Sequence, residues 1–317
     1  MAVGALLSVL LGWLMVRGMI WGEVTQGLLA FPPQLFILAL GTFLASIVLR
    51  AWRWYVLLAK DGVRFIRVFV IQNTGIGLNN LSPVRVVSEP VQLALMTRRE
   101  GVSAATALAT LAMEHLMDVL VTALLLGLSV LLMPELHGYT IQMAEVIIFA
   151  GISLLVFIVI ARGMDFVPGV NRLPFVRRAW EAARTLGKSP LRLLLSFLGT
   201  LGHWILAGLS GWIIAHGLNI DVGIAVAVVV FMGSLFFVSA IPSLPGGAIT
   251  FEAAVVYTLS LFDVRGESAL AFAILMHVIM FVPSTLLAVM VLPREGLKMF
   301  GTRAPAVPVE PEDGRLV

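Results

Sequence analysis

Ten ionisable side chains stand inside otherwise apolar stretches of this 317-residue chain: Arg50, Arg53, Arg85, Glu89, Glu114, His115, Asp118, His203, Glu252 and His277. At the centre of a membrane span such a group costs at least about 2.5–3.5 kcal/mol, so each is a functional-site candidate by default. Glu114 and Asp118 are four residues apart and therefore share one helix face. Glu114 lies about 17 Å into its apolar segment at the helical rise per residue, near the middle of a bilayer. Two carboxylates there need a partner, and Arg50, Arg53, Arg85 or a histidine can serve. The arrangement reads as an ion-pair network holding helices together, as a proton relay, or as a contact for a cationic headgroup. His115 and His277 fall near the midplane as well. A buried membrane histidine is commonly an interhelical hydrogen-bond partner, and His203 is expected to be one.

Glu89 precedes Pro90, and proline favours the first position of a helix. A short helix thus starts near Glu89, and a second starts near Ala248, just before Glu252. Helix N-termini offer free N–H groups and the positive end of the dipole, which suit an anion such as lipid phosphate. The two carboxylates either flank a headgroup site or stabilise the buried termini. Asn73, Asn79 and Asn80 are expected to satisfy interrupted backbone, with Asn79 and Asn80 also candidate substrate contacts beside Gly246 and Gly247. Trp52, Trp54 and Tyr55 read as an interfacial aromatic belt.

These residues must be positioned by membrane helices. The chain is 60% hydrophobic and 12% charged, with a mean hydropathy of +1.02. Soluble domains carry about 25% charged residues, so lipid is the solvent for most of this surface. Six spans are predicted, at about 2–20, 34–58, 103–133, 141–161, 190–216 and 267–292. The run from Ala2 to Leu14 has no preceding basic residue and no small-residue cleavage site after it, so it is kept as a helix rather than a secretory signal. Two further stretches are interrupted: 66–98 by Asn79, Asn80, Ser82 and Pro83, and 222–262 by Pro242, Ser243, Pro245, Gly246 and Gly247. Irregular backbone at membrane depth persists only when buried in protein or lining a wet cavity. Paired, Gly/Pro-interrupted segments point to a transporter's binding site.

The order is span, span, broken hairpin, span, given twice. With an odd number of spans per unit, the second copy is inverted: repeat one about 1–133, repeat two about 141–292. Ala107-Leu108-Ala109 is followed by His115 and preceded by Glu89; Ala269-Leu270-Ala271 is followed by His277 and preceded by Glu252, at nearly the same spacings. With both termini cytoplasmic, sixteen of the 21 Lys and Arg residues fall on the cytoplasmic side, as the positive-inside rule requires. The expected architecture is an all-α polytopic membrane protein with two inverted repeats, six spanning helices and two re-entrant broken-helix hairpins. Residues 1–295 form one transmembrane domain, and 296–317 a disordered cytoplasmic tail.

Cysteine is absent, which excludes disulfides, thiolate metal sites and cysteine nucleophiles. Glu114-His115 lacks the second spaced histidine of a zinc site, and neither a G-x-S-x-G elbow nor a P-loop occurs. No metal, cofactor or nucleic-acid partner is expected, and no enzymatic activity.

Pro83-x-Arg85-x-x-Ser88-Glu89, Glu114-His115-x-x-Asp118 and Pro242-x-x-Pro245-Gly246-Gly247-x-x-x-x-Glu252 together resemble the lysylphosphatidylglycerol synthase transmembrane-region family of flippase-like membrane proteins, over about residues 1–295. The family pattern reads P-x-R-x-G-E-x-x-R and E-R-x-x-D. Here Ser88 replaces the glycine, Gln92 the last arginine and His115 the other arginine. Two cations suited to lipid phosphate are thereby missing, which argues against lysylphosphatidylglycerol or its parent as substrate. The chain ends at Val317 without the soluble synthase domain, so lipid synthesis is not implied.

The resemblance implies a flippase-like transporter in the cytoplasmic membrane, moving a polar lipid or lipid-linked headgroup between leaflets. Its candidate substrate contacts are Arg85, Glu89, Glu114, His115, Asp118, Glu252, His277, Asn79, Asn80, Gly246 and Gly247. The alternatives are a proton-coupled carrier of a small polar solute, and an accessory subunit or enzyme acting on lipid-linked substrates. A second copy of the chain and a lipid-modifying enzyme are the candidate protein partners.

Overall fold

The computed structural model describes residues 2–82, 87–163, 174–240 and 244–301. Among them are twelve α-helices and no strand: α1 (Ala2–Val16), α2 (Trp21–Ala30), α3 (Pro33–Leu57), α4 (Phe65–Leu81), α5 (Ser88–Glu100), α6 (Ala104–Leu132), α7 (Thr140–Gly163), α8 (Pro174–Gly187), α9 (Pro190–Gly217), α10 (Ile224–Ala240), α11 (Thr250–Ser260) and α12 (Gly266–Gly301).

Local chemistry sets these boundaries. Pro33 and Pro190 occupy the first helical turns of α3 and α9, where the missing N–H costs nothing. The Ser103 hydroxyl accepts the Thr106 N–H and caps α6. Gly101, at φ 71°, ends α5 in the left-handed conformation behind Arg98 and Arg99.

Five stretches are long and apolar enough to cross a membrane: Pro33–Leu57, Ala104–Leu132, Pro134–Val159, Pro190–Gly217 and Gly266–Arg294. The sixth expected span, 2–20, is shorter than predicted. Gly18 at φ 85° separates α1 from α2, leaving α1 with 15 residues, about 22 Å of helix. The expected tail also begins later, since α12 continues to Gly301; residues 302–317 lie outside the described set.

The core sits where α3 crosses α9, the most extensive helix contact. Gly199 of α9 lies against Arg53 and Trp52, and Gly202 against Leu49, so small residues bring the backbones close, as in other membrane interfaces. The Ser210 hydroxyl donates to the Ala39 carbonyl across the same seam. Trp54 is fully buried and its indole N–H donates to Thr110, so it is a core residue between α3 and α6 rather than part of an interfacial belt. The outer surface is apolar: Leu6, Ile37, Leu131, Leu155 and Leu286 are all exposed. A soluble monomer rarely presents so much contiguous apolar surface.

Helices α4 and α5 form an antiparallel pair. Arg67 at the start of α4 is ion-paired with Glu100 at the end of α5 at 2.6 Å, closing its base. That base packs with Leu58, Val63, Val102 and Ala107, at the N-terminal end of α6. Helices α10 and α11 form the second pair. Its base, with Val226, Val229, Leu261 and Phe262, packs on Val130, Met133 and Leu136, at the C-terminal end of α6. Ala107 and Val130 are about 35 Å apart along the helix at the α-helical rise. The two pairs therefore approach from opposite ends of the bundle.

Candidate functional site

The ends of the two pairs opposite their bases meet inside the bundle. The chain between α10 and α11 makes a single 3-10 turn, Pro245–Gly247, with Gly246 at φ 73° and Gly247 at φ 74°. A side chain at Gly246 would be strained, and its Cβ would stand 3.6 Å from the Asn80 carbonyl oxygen and 3.8 Å from His277 Nε2. Gly246, Asn80 and His277 thus join the tip of the second pair to the tip of α4 and the middle of α12. The Asn80 side-chain amide donates to Thr285 Oγ1 at 3.1 Å and to the Phe281 carbonyl. Asn79 accepts both the Val87 and Ser88 N–H groups through Oδ1, each at 3.0 Å. Both asparagines lie in the last turn of α4, not in the break itself. Asn79 satisfies interrupted backbone as expected, and those two donors at the start of α5 are already engaged.

The predicted ionisable residues separate into three groups. The first is buried where α3, α6 and α9 meet. Arg53 Nε and one terminal nitrogen donate to Glu114 Oε1 at 3.0 and 2.8 Å. Both terminal nitrogens donate to Asp118, at 2.5 and 2.8 Å, and one also donates to Thr200 at 3.1 Å. All five N–H donors of the guanidinium are used. The Gln72 amide donates to Glu114 Oε1 at 2.5 Å, and the Trp204 indole donates to Asp118 Oδ1 at 3.2 Å. One turn away on α3, Arg50 donates to Asn73, whose Oδ1 also accepts from Ser284 of α12. Asn73 therefore links helices instead of serving a hairpin tip. His203 Nδ1 is 3.0 Å from the Ser46 carbonyl, in the interhelical role expected for it.

The second group is Glu89 and His115, 3.7 Å apart with half-exposed side chains. The third is Glu252 and His277, with Nδ1 2.6 Å from Oε1 and both side chains largely buried. The His277 ring stands edge-on to Phe251 and lies against Phe281 at 4.1 Å between centroids. Glu252 Oε2 is buried and has no hydrogen-bond partner. The two pairs hold the same relationship: a glutamate at the start of the second arm, paired with a histidine on the helix that follows. Arg85, Pro242 and Ser243 lie outside the described residues.

Gln72, Thr200 and Trp204 were not singled out in the sequence. Gln72 alone carried a signal, being an amide in the apolar run preceding Asn73. An apolar groove of about 360 Å³ opens on the far face of α11, lined by Leu11, Phe237, Thr250, Ala253, Ala254 and Tyr257. Among the described residues, no cluster of three His, Cys, Asp or Glu side chains is arranged to hold a metal ion.

Residues 1–288 match the family model described as Lysylphosphatidylglycerol synthase TM region. No curated protein matches the chain. The apolar helices and the family match together describe a multi-pass membrane protein of a lipid-related family.

Proposed function

Given that the chain belongs to the lysylphosphatidylglycerol synthase transmembrane-region family, we propose that it is a flippase-like transporter that moves a polar lipid headgroup between leaflets and carries out no chemical conversion. One observation carries this reading: two short helix pairs with bases at opposite ends of α6 and tips in contact at Asn80 and Gly246. In a bilayer these are re-entrant hairpins from opposite faces. Helix α4 is 17 residues, α5 13, α10 17 and α11 11, about 16–26 Å each, against a hydrocarbon core of about 30 Å. Broken helices meeting at the midplane are the common construction of a transporter's substrate site.

The packing supports an inverted repeat. Helix α2 lies on α12 as α8 lies on α6; α4 packs on α5 and α12 as α10 packs on α11 and α6; α3 and α9 face each other across the axis. The pattern breaks at α1, which packs on α11, while α7 packs on α6. Within this frame the headgroup passes the hairpin tips, contacting Asn80, Gly246, Gly247 and the Glu–His pairs, while the acyl chains remain in lipid. The apolar groove beside α11 offers a surface suited to an acyl chain.

The test is leaflet translocation in proteoliposomes. Fluorescent phosphatidylglycerol, phosphatidylethanolamine and an isoprenoid-linked sugar are each loaded into both leaflets, and a membrane-impermeant reductant is added outside. The reading expects the protected fraction of at least one lipid to fall below that of protein-free vesicles. Equal protection for every lipid refutes it.

A further inference from the structure

The same molecule solves the problem of a buried carboxylate in two ways. Glu114 and Asp118 are locked by Arg53, whose five N–H donors are all spent on them and on Thr200. Glu252 has only a histidine. Its Oε1 meets His277 Nδ1 at 2.6 Å, and its Oε2 is buried with no donor. A buried acceptor left unpaired costs about 1–3 kcal/mol, and more when charged, so a purely structural pair would be expected to have closed that gap. A carboxyl group that alternately holds and releases a proton keeps such an oxygen open.

Among the described residues, which do not include Arg85, the surroundings leave the two groups to each other. Helix α10 contributes no ionisable side chain, and neither does α1. Tyr257 of α11 turns to the opposite face, where its hydroxyl meets Tyr139. On α4 the one charged residue, Arg67, is at the far end and held by Glu100. Arg50 and Arg53 of α3 and His203 of α9 are engaged with Asn73, with Glu114 and Asp118, and with Ser46. His216 stacks on Trp212 in the last turn of α9, and Arg192 lies in its first turn. Glu23 of α2 pairs with Arg265, beside Glu267 at the start of α12. Arg294 stands seventeen residues beyond His277, about 25 Å along the helix.

The counterpart pair supplies the second state. Glu89 and His115 occupy the equivalent positions in the first half, yet they are 3.7 Å apart and half exposed. One pair is in close contact and largely buried, the other longer and half exposed.

We propose that Glu252 and His277 form a proton-coupling site, with Glu89 and His115 as the matching site of the other half. When closed, the pair shares one proton between Oε1 and Nδ1 and is neutral overall. The proton is taken up from one face by the pair that opens there and is handed across the joined hairpin tips to the other pair; when that half opens in turn, its contact lengthens and the proton passes to water on the opposite face. The contact of His277 with the Gly246 turn ties this exchange to the hairpin tips that the headgroup must pass. The proposal rests on the transport reading above and adds its energy source: one proton moved per lipid.

The coupling has a definite magnitude. A one-unit pH difference is worth 1.36 kcal/mol per proton, which sustains about a tenfold concentration ratio. The full-length protein is reconstituted in phosphatidylcholine vesicles holding fluorescent phosphatidylglycerol or, in a parallel arm, fluorescent phosphatidylethanolamine. The membrane potential is clamped with potassium and valinomycin. A one-unit gradient is expected to hold one of the lipids at about tenfold asymmetry between leaflets, with matching proton influx reported by a trapped pH dye. Glu252→Gln and His277→Gln are each expected to abolish both the asymmetry and the proton flux.

If the wild-type protein equilibrates a lipid but never accumulates it, the coupling is overturned and the transport reading survives. If it moves neither lipid, nor the isoprenoid-linked sugar run as a third arm, both fall. An unchanged asymmetry in Glu252→Gln also overturns the assignment. Should both variants fail to fold, the wild-type asymmetry and proton flux still decide the matter.

Discussion

His277 Nδ1 lies 2.6 Å from Glu252 Oε1, twenty-five positions along the chain, and Glu89 and His115, 3.7 Å apart, are separated by nearly the same length. The correspondence is thus carried by contact as well as by spacing. Its two members differ in exposure: the Glu89 and His115 side chains are half-exposed, those of Glu252 and His277 largely buried.

The orientation expected from the basic residues is directly testable, since the chain has no cysteine of its own and is already a cysteine-free background. Single cysteines at Lys60 and Lys188 are expected to react with an impermeant maleimide only from the cytoplasmic side, and one at Asp263 only from outside. Labelling of the Asp263 position from the same face as the Lys60 position would end the inverted arrangement, because the bases of the two hairpins would then share a side.

Much of this was legible in the sequence, for physical reasons. The five long spans announce themselves because a lipid-facing helix must be apolar over its full length. The two helix interruptions show because Pro and Gly break an apolar helix; the breaks at Ser82 and Pro245 lie within a few residues of where α4 and the Gly246 turn end. The partner choice of Glu114 did not show. Arg50, Arg53 and Arg85 were equivalent on paper, and only the three-way meeting of α3, α6 and α9 selects Arg53. Trp54 was misread because an aromatic cluster near basic residues has the same composition whether it faces the interface or the core. The break after α1 was missed because Arg17 and Gly18 interrupt the apolar residues only briefly, and these resume at Met19.

Close packing of α4 on α12 depends on Gly77. A Cβ there would stand 2.1 Å from the Ser284 carbonyl oxygen and 2.6 Å from the Ala288 Cβ, and backbone cannot yield cheaply. Gly77→Ala is expected to cost about 1–3 kcal/mol as overpacking, read as a lower thermal midpoint in detergent. Gly41, on α3, has nothing within 4 Å of its added Cβ. Gly41→Ala should leave the midpoint unchanged or raise it, through helix propensity worth about 0.5–1 kcal/mol. Equal effects at both positions would show that α4 and α12 are not in close contact.

The first hairpin tip hangs on Asn79. Its Oδ1 is the acceptor for the Val87 and Ser88 N–H groups. Asn79→Leu strands both donors, at about 1–3 kcal/mol for each that stays buried. Amide hydrogen exchange over residues 87–91 is therefore expected to accelerate markedly. Asn79→Asp keeps the acceptor and should preserve protection. Faster exchange in both variants would place the constraint elsewhere than in that oxygen.

The Arg53 cluster is expected to be structural, and a graded series separates that role from a part in transport. Arg53→Met leaves two carboxylates buried without their cation, and removing one partner of a buried pair costs about 3–5 kcal/mol. Arg53→Lys should lose much of the same stability, since an ammonium has three donors where the guanidinium uses five. Adding Glu114→Gln and Asp118→Asn to Arg53→Met removes the stranded charges. The triple variant should therefore recover a large part of the lost thermal midpoint, because a neutral replacement of a buried ion network is often close to isoenergetic. If the cluster is only a clamp, the refolded triple variant retains lipid translocation in proportion to folded protein. Recovery of the midpoint with complete loss of translocation would instead make Arg53, Glu114 and Asp118 part of the transport machinery, and the division between locked and working carboxylates drawn here would fail.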